Sequence, residues 1–392
     1  MRLFLFVISV LCFGSSCSNS FNKIHERSIL VDTHNDLLTS QTLEGRDVSN
    51  RLTEGHSDLY RLKEGGVDVQ FFSVWTGETA RNKEGFFRDA MEQIDSLEFI
   101  TLRNVYKMSL ASSYSQVKDI LRQNKLVSLI GVEGGHMIED DLEKLEILHQ
   151  RGMSYLTLTH NNSTSWASSA RDETQRASTL KQKGLNDFGR EIIKRMNERG
   201  IMIDLSHVGE KTFYDVLEST TKPVILTHSS VYALAPHFRN VNDEQIKAIA
   251  KNNGVICINF YSAFLSDTFN IEYEKLMGPD GKTIKDSIQA LYTDRKDKAR
   301  YWEEYVAGML ERYRPSYTRI VDHIDYIVKL AGVDYVGIGA DLDGVDSLPV
   351  GFDDATDYPL ITQELVKRGY STADIKKILG KNVLRVLKAN RK

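Results

Sequence analysis

Short apolar, β-branched runs recur along the chain, each followed by a polar segment with helical spacing. The runs are Ile29–Asp32, "VDVQFFSVW" (67–75), "LVSLIGVEG" (126–134), "SYLTLTH" (154–160), "IMIDLSH" (201–207), "PVILTHSS" (223–230), "GVICINFY" (254–261) and "YVGIGAD" (335–341). Their length and β-branched content predict eight strands. Helices are predicted between them over 86–110, 141–151, 186–199, 210–219, 243–252 and 317–330. In the third of these, Phe188, Ile192, Ile193 and Met196 form one apolar stripe, and Gly200 stops the helix just before the next run. Nearly continuous apolar strands alternating with helices imply a parallel sheet covered by helices, and eight such units imply a closed (β/α)8 TIM barrel of the α/β class. An open doubly wound sheet is the alternative, but no Gly-x-Gly-x-x-Gly turn follows the first strand. A charged, tyrosine-rich stretch over 262–315, after the seventh strand, is expected to be a helical insertion standing over the barrel mouth.

Composition agrees with one large core. The 392 residues are 41% hydrophobic and 27% charged with 6 Pro, and contain no low-complexity segment that would mark a linker. Residues 27–392 are therefore read as a single domain. A formal charge of -4 with both signs interspersed gives no basic stripe, so a nucleic-acid partner is not expected.

The first twenty residues differ from the rest. "MRLFLFVISVLCFGSSCSNS" places Arg2 before an apolar run from Leu3 to Phe13, then small residues and Cys17. It reads as an export signal, residues 1–16, too short to span a membrane in the mature chain. Gly14-Ser15-Ser16-Cys17 resembles a bacterial lipoprotein processing site, with Gly14 in place of the usual aliphatic residue. The expectation is a lipidated Cys17, a tether over 17–26, and an exported lipoprotein anchored in the outer membrane and facing the periplasm. Of the other cysteines, Cys12 falls inside the signal and Cys257 stands alone in "GVICINF", so no disulfide is available.

The chemistry lies at the strand ends. In a (β/α)8 barrel the active site is at the C-terminal ends of the strands. Here those ends carry His34 with Asp36, Glu133, His160, His207, His228 and Asp341, including four of the 10 histidines. Imidazole and carboxylate suit a borderline ion such as Zn2+, and a pair of ions is a recurrent device for activating water. His34 and Asp36, two apart, share one face of the strand and could reach one ion. Glu133 could bridge two ions, and His207 with His228 could hold the second. Three neutral imidazoles and two carboxylates against two divalent ions leave about +2, or about +1 with a hydroxide, which would attract an anionic substrate group. Any one such residue is more often a hydrogen-bonded loop residue than a ligand. Asp32, His136, His237 and the peripheral His25, His56, His149 and His323 are read as structural or surface positions.

Taken together, "VDTHNDL", "GGVDVQFFSVW", "GVEGGH", "LTLTHNN", "IMIDLSHV", "PVILTHSS", "HFRNVNDEQIKAIAKNNGVICINF", "VGIGADLDG" and "ILGKNVLRVL" resemble, in order from Ile29 to Leu387, the membrane (renal-type) dipeptidase family. The resemblance implies a (β/α)8 barrel holding two Zn2+ and hydrolysing dipeptides, and leaves open whether a C-terminal D-residue is accepted. It makes His34 and Asp36 ligands of one zinc, Glu133 the bridge, and His207 and His228 ligands of the other. It gives His160 a place near the scissile carbonyl, Arg239 the substrate carboxylate, and Asp341 the proton shuttle, with a water between the ions as nucleophile. Thr33, Leu38 and Phe238 depart from the family's usual Gly, Pro and Pro, and none removes a ligand. The resemblance allows a homodimer and leaves the oligomeric state open. Two other functions are weighed beside it. One is a two-metal barrel hydrolase for another amide or a lactone, β-lactams included; its usual pattern starts with His-x-His and often places a lysine between the metals, where this chain has Asp36 and Glu133. The other is a binding lipoprotein without catalysis, whose mark would be a missing ligand.

Overall fold

The computed structural model describes residues 21–391, so the export signal, Cys17 and the first part of the tether lie outside the described residues. Among them are nine strands: β1 Leu30–Asp32, β2 Val67–Trp75, β3 Met108–Leu110, β4 Leu126–Glu133, β5 Met153–Thr157, β6 Met202–Asp204, β7 Ile225–Ser229, β8 Val255–Ile258 and β9 Val336–Ile338. All pairings are parallel, in the order β2-β1-β9-β8-β7-β6-β5-β4, and β2 pairs with β4 to close a barrel of eight. The expected (β/α)8 architecture is therefore the one observed.

Two cores hold it. Inside the barrel, alternate residues Val31, Val69, Phe71, Val127, Leu129, Tyr155 and Ile225 meet, together with Val383, Leu384, Val386 and Leu387 of the helix Asn382–Asn390, which plugs this end. Cys257 is buried in the same cluster, an apolar filler. Outside, residues of opposite parity such as Phe72, Val74, Ile130 and Val132 pack against the surrounding helices. The segment after β8 is helical, as expected (Ser262–Leu265, Asp267–Met277, Pro279–Ala290, Arg295–Leu310), with a small core of its own around Phe269, Trp302, Val306 and Leu310.

Three differences from the sequence reading have local causes. The helix from Phe86 ends at Arg103, not at residue 110. There the Asn104 side chain donates to Ile100 O and Ser49 Oγ and turns the chain, so that Met108–Leu110 pairs with Leu126–Ser128 of β4 as a ninth strand outside the barrel. The helix Tyr114–Arg122 is also new; it buries only Val117 and Ile120, too short a stripe to stand out. Several strands are shorter than expected, ending at Thr157, Asp204, Ile258 and Ile338. Past two of these ends, His207 and Asp341 take left-handed backbone angles (φ 68° and 62°), which a strand ladder does not accommodate.

Asp32 has a structural role, as expected. Its Oδ1 accepts the Ala340 and His34 amides (3.0 and 3.3 Å) and its Oδ2 accepts the Tyr358 hydroxyl (2.6 Å), tying β1 to β9. Tyr358→Phe is expected to cost about 1–3 kcal/mol by leaving a buried carboxylate oxygen short of a donor. Denaturant unfolding would read that loss, with metal content unchanged.

Candidate metal centre

The C-terminal strand ends converge. His34, just past β1, points its Nε2 at Asp36 Oδ2 (3.3 Å), Glu133 Oε2 (3.6 Å) and Asp341 Oδ1 (3.9 Å). The other oxygen of Glu133, Oε1, faces His207 Nε2 (3.0 Å) and His228 Nε2 (3.3 Å), and those two nitrogens are 2.9 Å apart. Glu133, the last residue of β4, thus stands between two groups of donors. The His160 ring lies 4.4 Å from that of His207, centroid to centroid. Three overlapping sets have their donor atoms within 4.8 Å of one another: His34, Asp36 and Asp341; His34, Glu133 and His228; and Glu133, His160 and His207. All five expected ligands are brought together, and His160 and Asp341 belong to the same closely spaced sets.

The backbone is shaped for this crowding. A Cβ on Gly344 would fall 2.2 Å from Asp36 Oδ2 and 2.4 Å from Asp341 Oδ1, so only glycine lets that loop pass the carboxylates. On β4, a Cβ on Gly131 would fall 2.0 Å from the Tyr155 ring, whose hydroxyl lies 2.9 Å from His34 Nδ1.

Hydrogen bonding fixes which nitrogens face inward. The Tyr155 hydroxyl donates to Thr33 O (3.2 Å), so towards His34 it acts as acceptor of the Nδ1 proton. His207 Nδ1 donates to Asn161 Oδ1 (3.2 Å), and His228 Nδ1 to Thr227 Oγ1 (2.8 Å). All three Nε2 lone pairs are left for the centre, as outer partners do for metal-bound histidines. Two acceptor nitrogens 2.9 Å apart repel each other unless a cation or proton lies near both. His34 Nε2, Asp36 Oδ1 and His160 Nδ1 are buried without a hydrogen-bond partner. Converging, unsatisfied N and O donors of this kind fit metal ions.

The electrostatics are those of a donor cage. Burial holds the His207 and His228 imidazoles well below the ordinary histidine range and His160 down at about 4, so all three are neutral. Burial alone would push Glu133 up, but His34, His207 and His228 outweigh it and hold its carboxyl well below the usual range. Burial also opposes a charge on His34, yet Tyr155, Glu133 and Asp36 together raise its imidazole well above 6.5. A proton there does for the carboxylates what a cation would do, and metal binding would release it. Asp341 is lifted to about 7, by burial first and then by Asp36 and Glu133.

All of the donors except His34 line a cavity of about 480 Å³ with Trp75, Asn161, Phe264 and Tyr273. Arg239 stands in its wall, 5% exposed, with Nη2 donating to His228 O (3.1 Å) and its guanidinium 5.4 Å from the centre of the Phe264 ring. Burial lowers it only to about 10, so it remains a cation. Glu133, Asp341 and Asp204 favour its charge from a distance, but among the described residues none is within ion-pair contact of it, and its Nε has no partner. His237, read from sequence as structural or surface, lines the cavity instead, its Nδ1 accepting the Arg239 amide (3.1 Å). His136 stays outside, bonded to Thr76 O. His25 and His323 are buried and hydrogen-bonded to groups other than the donors, the Thr362 hydroxyl and the Val231 amide.

Tyr155, Asn161, Thr227 and Asp204 were not singled out by the sequence reading. One signal was available: "VDTH" and "IDLSH" each set an aspartate at a strand end just before a histidine. Like Asp32, Asp204 is fully buried and accepts an amide of the neighbouring strand.

Comparison with known structures finds the same architecture. A probable dipeptidase from Pseudomonas aeruginosa (PvdM) superposes with a TM-score of 0.79 at 22% identity, covering 96% of this chain and 99% of that one. A metallopeptidase from Rhodobacter sphaeroides, bound to a phosphinate mimic of the dipeptide L-Ala-D-Ala, gives 0.72 at 22% identity over 93% and 99%. An amidohydrolase from Pseudomonas aeruginosa gives 0.70 at 22% identity over 95% and 99%. At such identities the likeness is one of fold. The sequence itself matches the family model for membrane dipeptidase (peptidase family M19) over residues 18–392, essentially the full length on which the donor cage is built, and the chain belongs to that family of metal-dependent dipeptidases.

Proposed function

We propose that the protein hydrolyses dipeptides with two zinc ions, one held by His34 and Asp36, the other by His207 and His228, with Glu133 between them. The observation that carries this reading is Arg239: a buried cation without a carboxylate partner among the described residues, in the wall of the cavity that holds the donor cage. A mixed imidazole and carboxylate set suits zinc, and two such ions supply an activated water and polarise the scissile carbonyl. The chain's own residues do the rest. Arg239 takes the substrate's C-terminal carboxylate by charge-assisted hydrogen bonds and so fixes the register of the peptide bond. His160, with an unpartnered Nδ1, is placed to hydrogen-bond the carbonyl oxygen as charge develops on it. Asp341, held near neutrality, accepts a proton from the attacking water and returns it to the leaving amine. Acceptance of a C-terminal D-residue belongs to the same proposal, supported by the dipeptide mimic bound to the Rhodobacter sphaeroides relative. So does the exported, outer-membrane-anchored placement through Cys17. No helix among the described residues is long and apolar enough to cross a membrane.

Metal analysis of the purified protein with hydrolysis of a panel of L,L- and L,D-dipeptides tests this reading. Zinc-loaded protein that cleaves none of them would overturn it. Arg239→Ala is expected to raise KM for dipeptides about 10–100-fold, the loss of a hydrogen-bonded charge pair, with kcat and metal content little changed. The variant should also lose the preference for a free C-terminal carboxylate over an amide; a retained preference would remove Arg239 from carboxylate binding.

A further inference from the structure

Behind His228 lies a buried polar chain that the reaction itself does not use. Asp204, the last residue of β6, is fully buried and receives four hydrogen bonds. Oδ1 accepts the amides of Ser206 and Thr227 (both 3.0 Å); Oδ2 accepts the hydroxyls of Thr157 (2.6 Å) and Thr227 (2.7 Å). The two amides can only donate, and the carboxylate takes both through one oxygen, so that oxygen carries no proton. The Thr227 hydroxyl has a single hydrogen and directs it to Asp204. Ser206 Oγ accepts the His228 amide (3.1 Å) and turns its own hydrogen to Thr227 Oγ1 (3.3 Å). Towards His228 Nδ1, 2.8 Å away, Thr227 can therefore only accept. The chain runs one way, from His228 Nδ1–H to Thr227 Oγ1–H to Asp204.

We propose that Asp204 and Thr227 are positioning residues for the metal centre: through one hydroxyl, the buried carboxylate locks His228 in the tautomer whose Nε2 lone pair faces Glu133 and His207. The inference rests on the metal-centre reading above. Ligating histidines are commonly oriented by a carboxylate or a carbonyl that accepts the second ring proton. Here a threonine hydroxyl is interposed, and its orientation depends on the charge behind it.

That dependence yields a test. In Asp204→Asn the amide Nδ2 replaces Oδ2, since Oδ1 must still meet the two backbone amides. Nδ2 then donates to Thr227 Oγ1, the hydroxyl turns its hydrogen to His228 Nδ1, and the imidazole shifts its proton to Nε2. Thr227→Val removes the acceptor at nearly constant volume, and Thr227→Ser restores it. Zinc affinity measured by chelator competition is expected to fall about 10–100-fold for one of the two ions in Asp204→Asn and Thr227→Val, and to stay within about threefold of wild type in Thr227→Ser. Nitrogen-15 spectra of the metal-free proteins should place the His228 proton on Nδ1 in wild type and Thr227→Ser, and on Nε2 in the other two. Unchanged affinity and tautomer in Thr227→Val, or a Thr227→Ser as weak as Thr227→Val, would overturn the proposal. Wild type that bound no metal would instead refute the metal centre, while the tautomer measurement would still decide the relay.

Discussion

Glu133→Gln is expected to leave the protein folded, to reduce bound metal from the two zinc ions proposed above to one or none, and to lower kcat on the order of 10³-fold, beyond the 10–100-fold typical of outer partners. The size follows from position. Glu133 is the residue whose two oxygens face both donor groups, Oε1 towards His207 and His228 at 3.0 and 3.3 Å and Oε2 towards His34 at 3.6 Å. Glutamine keeps the shape but replaces one acceptor with an N–H2 and removes the charge. Whichever way the amide turns, it presents hydrogens to one of the two ion positions. The fold should tolerate the change, because β4 is held by its ladders to β2 and β5 over Val127–Glu133 and Ile130–Glu133. Metal analysis and steady-state kinetics on one preparation would check it. Unchanged zinc and unchanged turnover would sink the assignment of Glu133 as the bridge.

The barrel was legible because its strands are buried on both sides. A run such as "VDVQFFSVW" feeds Val69 and Phe71 to the interior and Phe72 and Val74 to the helices, so apolar residues persist where an exposed strand would alternate. The donors were legible for the complementary reason: His34, Glu133, His207 and His228 interrupt or end those runs with residues that burial disfavours unless they have a partner. What stayed hidden depends on contacts across the chain. Tyr155 reads as a packing aromatic, and its bond to His34 spans 121 positions. Thr227 is an ordinary β-branched strand residue until Asp204, 23 positions earlier, is brought beside it. The unpartnered Nε of Arg239 is likewise a property of the cavity wall and not of "HFRN" as a string. The residues that bear charge or bind metal announce themselves by type; those that orient them do so only through geometry.

Asp341→Asn should retain both of the proposed metal ions while kcat falls about 10²–10⁴-fold, the usual contribution of a positioned acid or base. The carboxylate is held on one side by the Asn259 side chain, whose Nδ2 donates to Oδ2 at 2.8 Å, and presents Oδ1 to the centre 3.9 Å from His34 Nε2. Asparagine can keep the Asn259 contact through its oxygen but can neither accept nor return a proton. The same residue leaves a mark on the metal-free protein. Its folded pKa of about 7 lies above its ordinary 3.8, so between those values the folded chain holds a proton that the unfolded chain has lost. Stability from this group is present in full below pH 3.8 and is lost as pH rises through about 7. Chelator-treated Asp341→Asn should therefore gain thermal stability relative to chelator-treated wild type over that window, by an amount that grows with pH. Bound cations stabilise the ionised carboxylate and should shrink the difference. An Asp341→Asn variant with near wild-type kcat would remove the proton transfer from this residue. A stability difference independent of pH in the metal-free pair would show that Asp341 is already ionised there across the window.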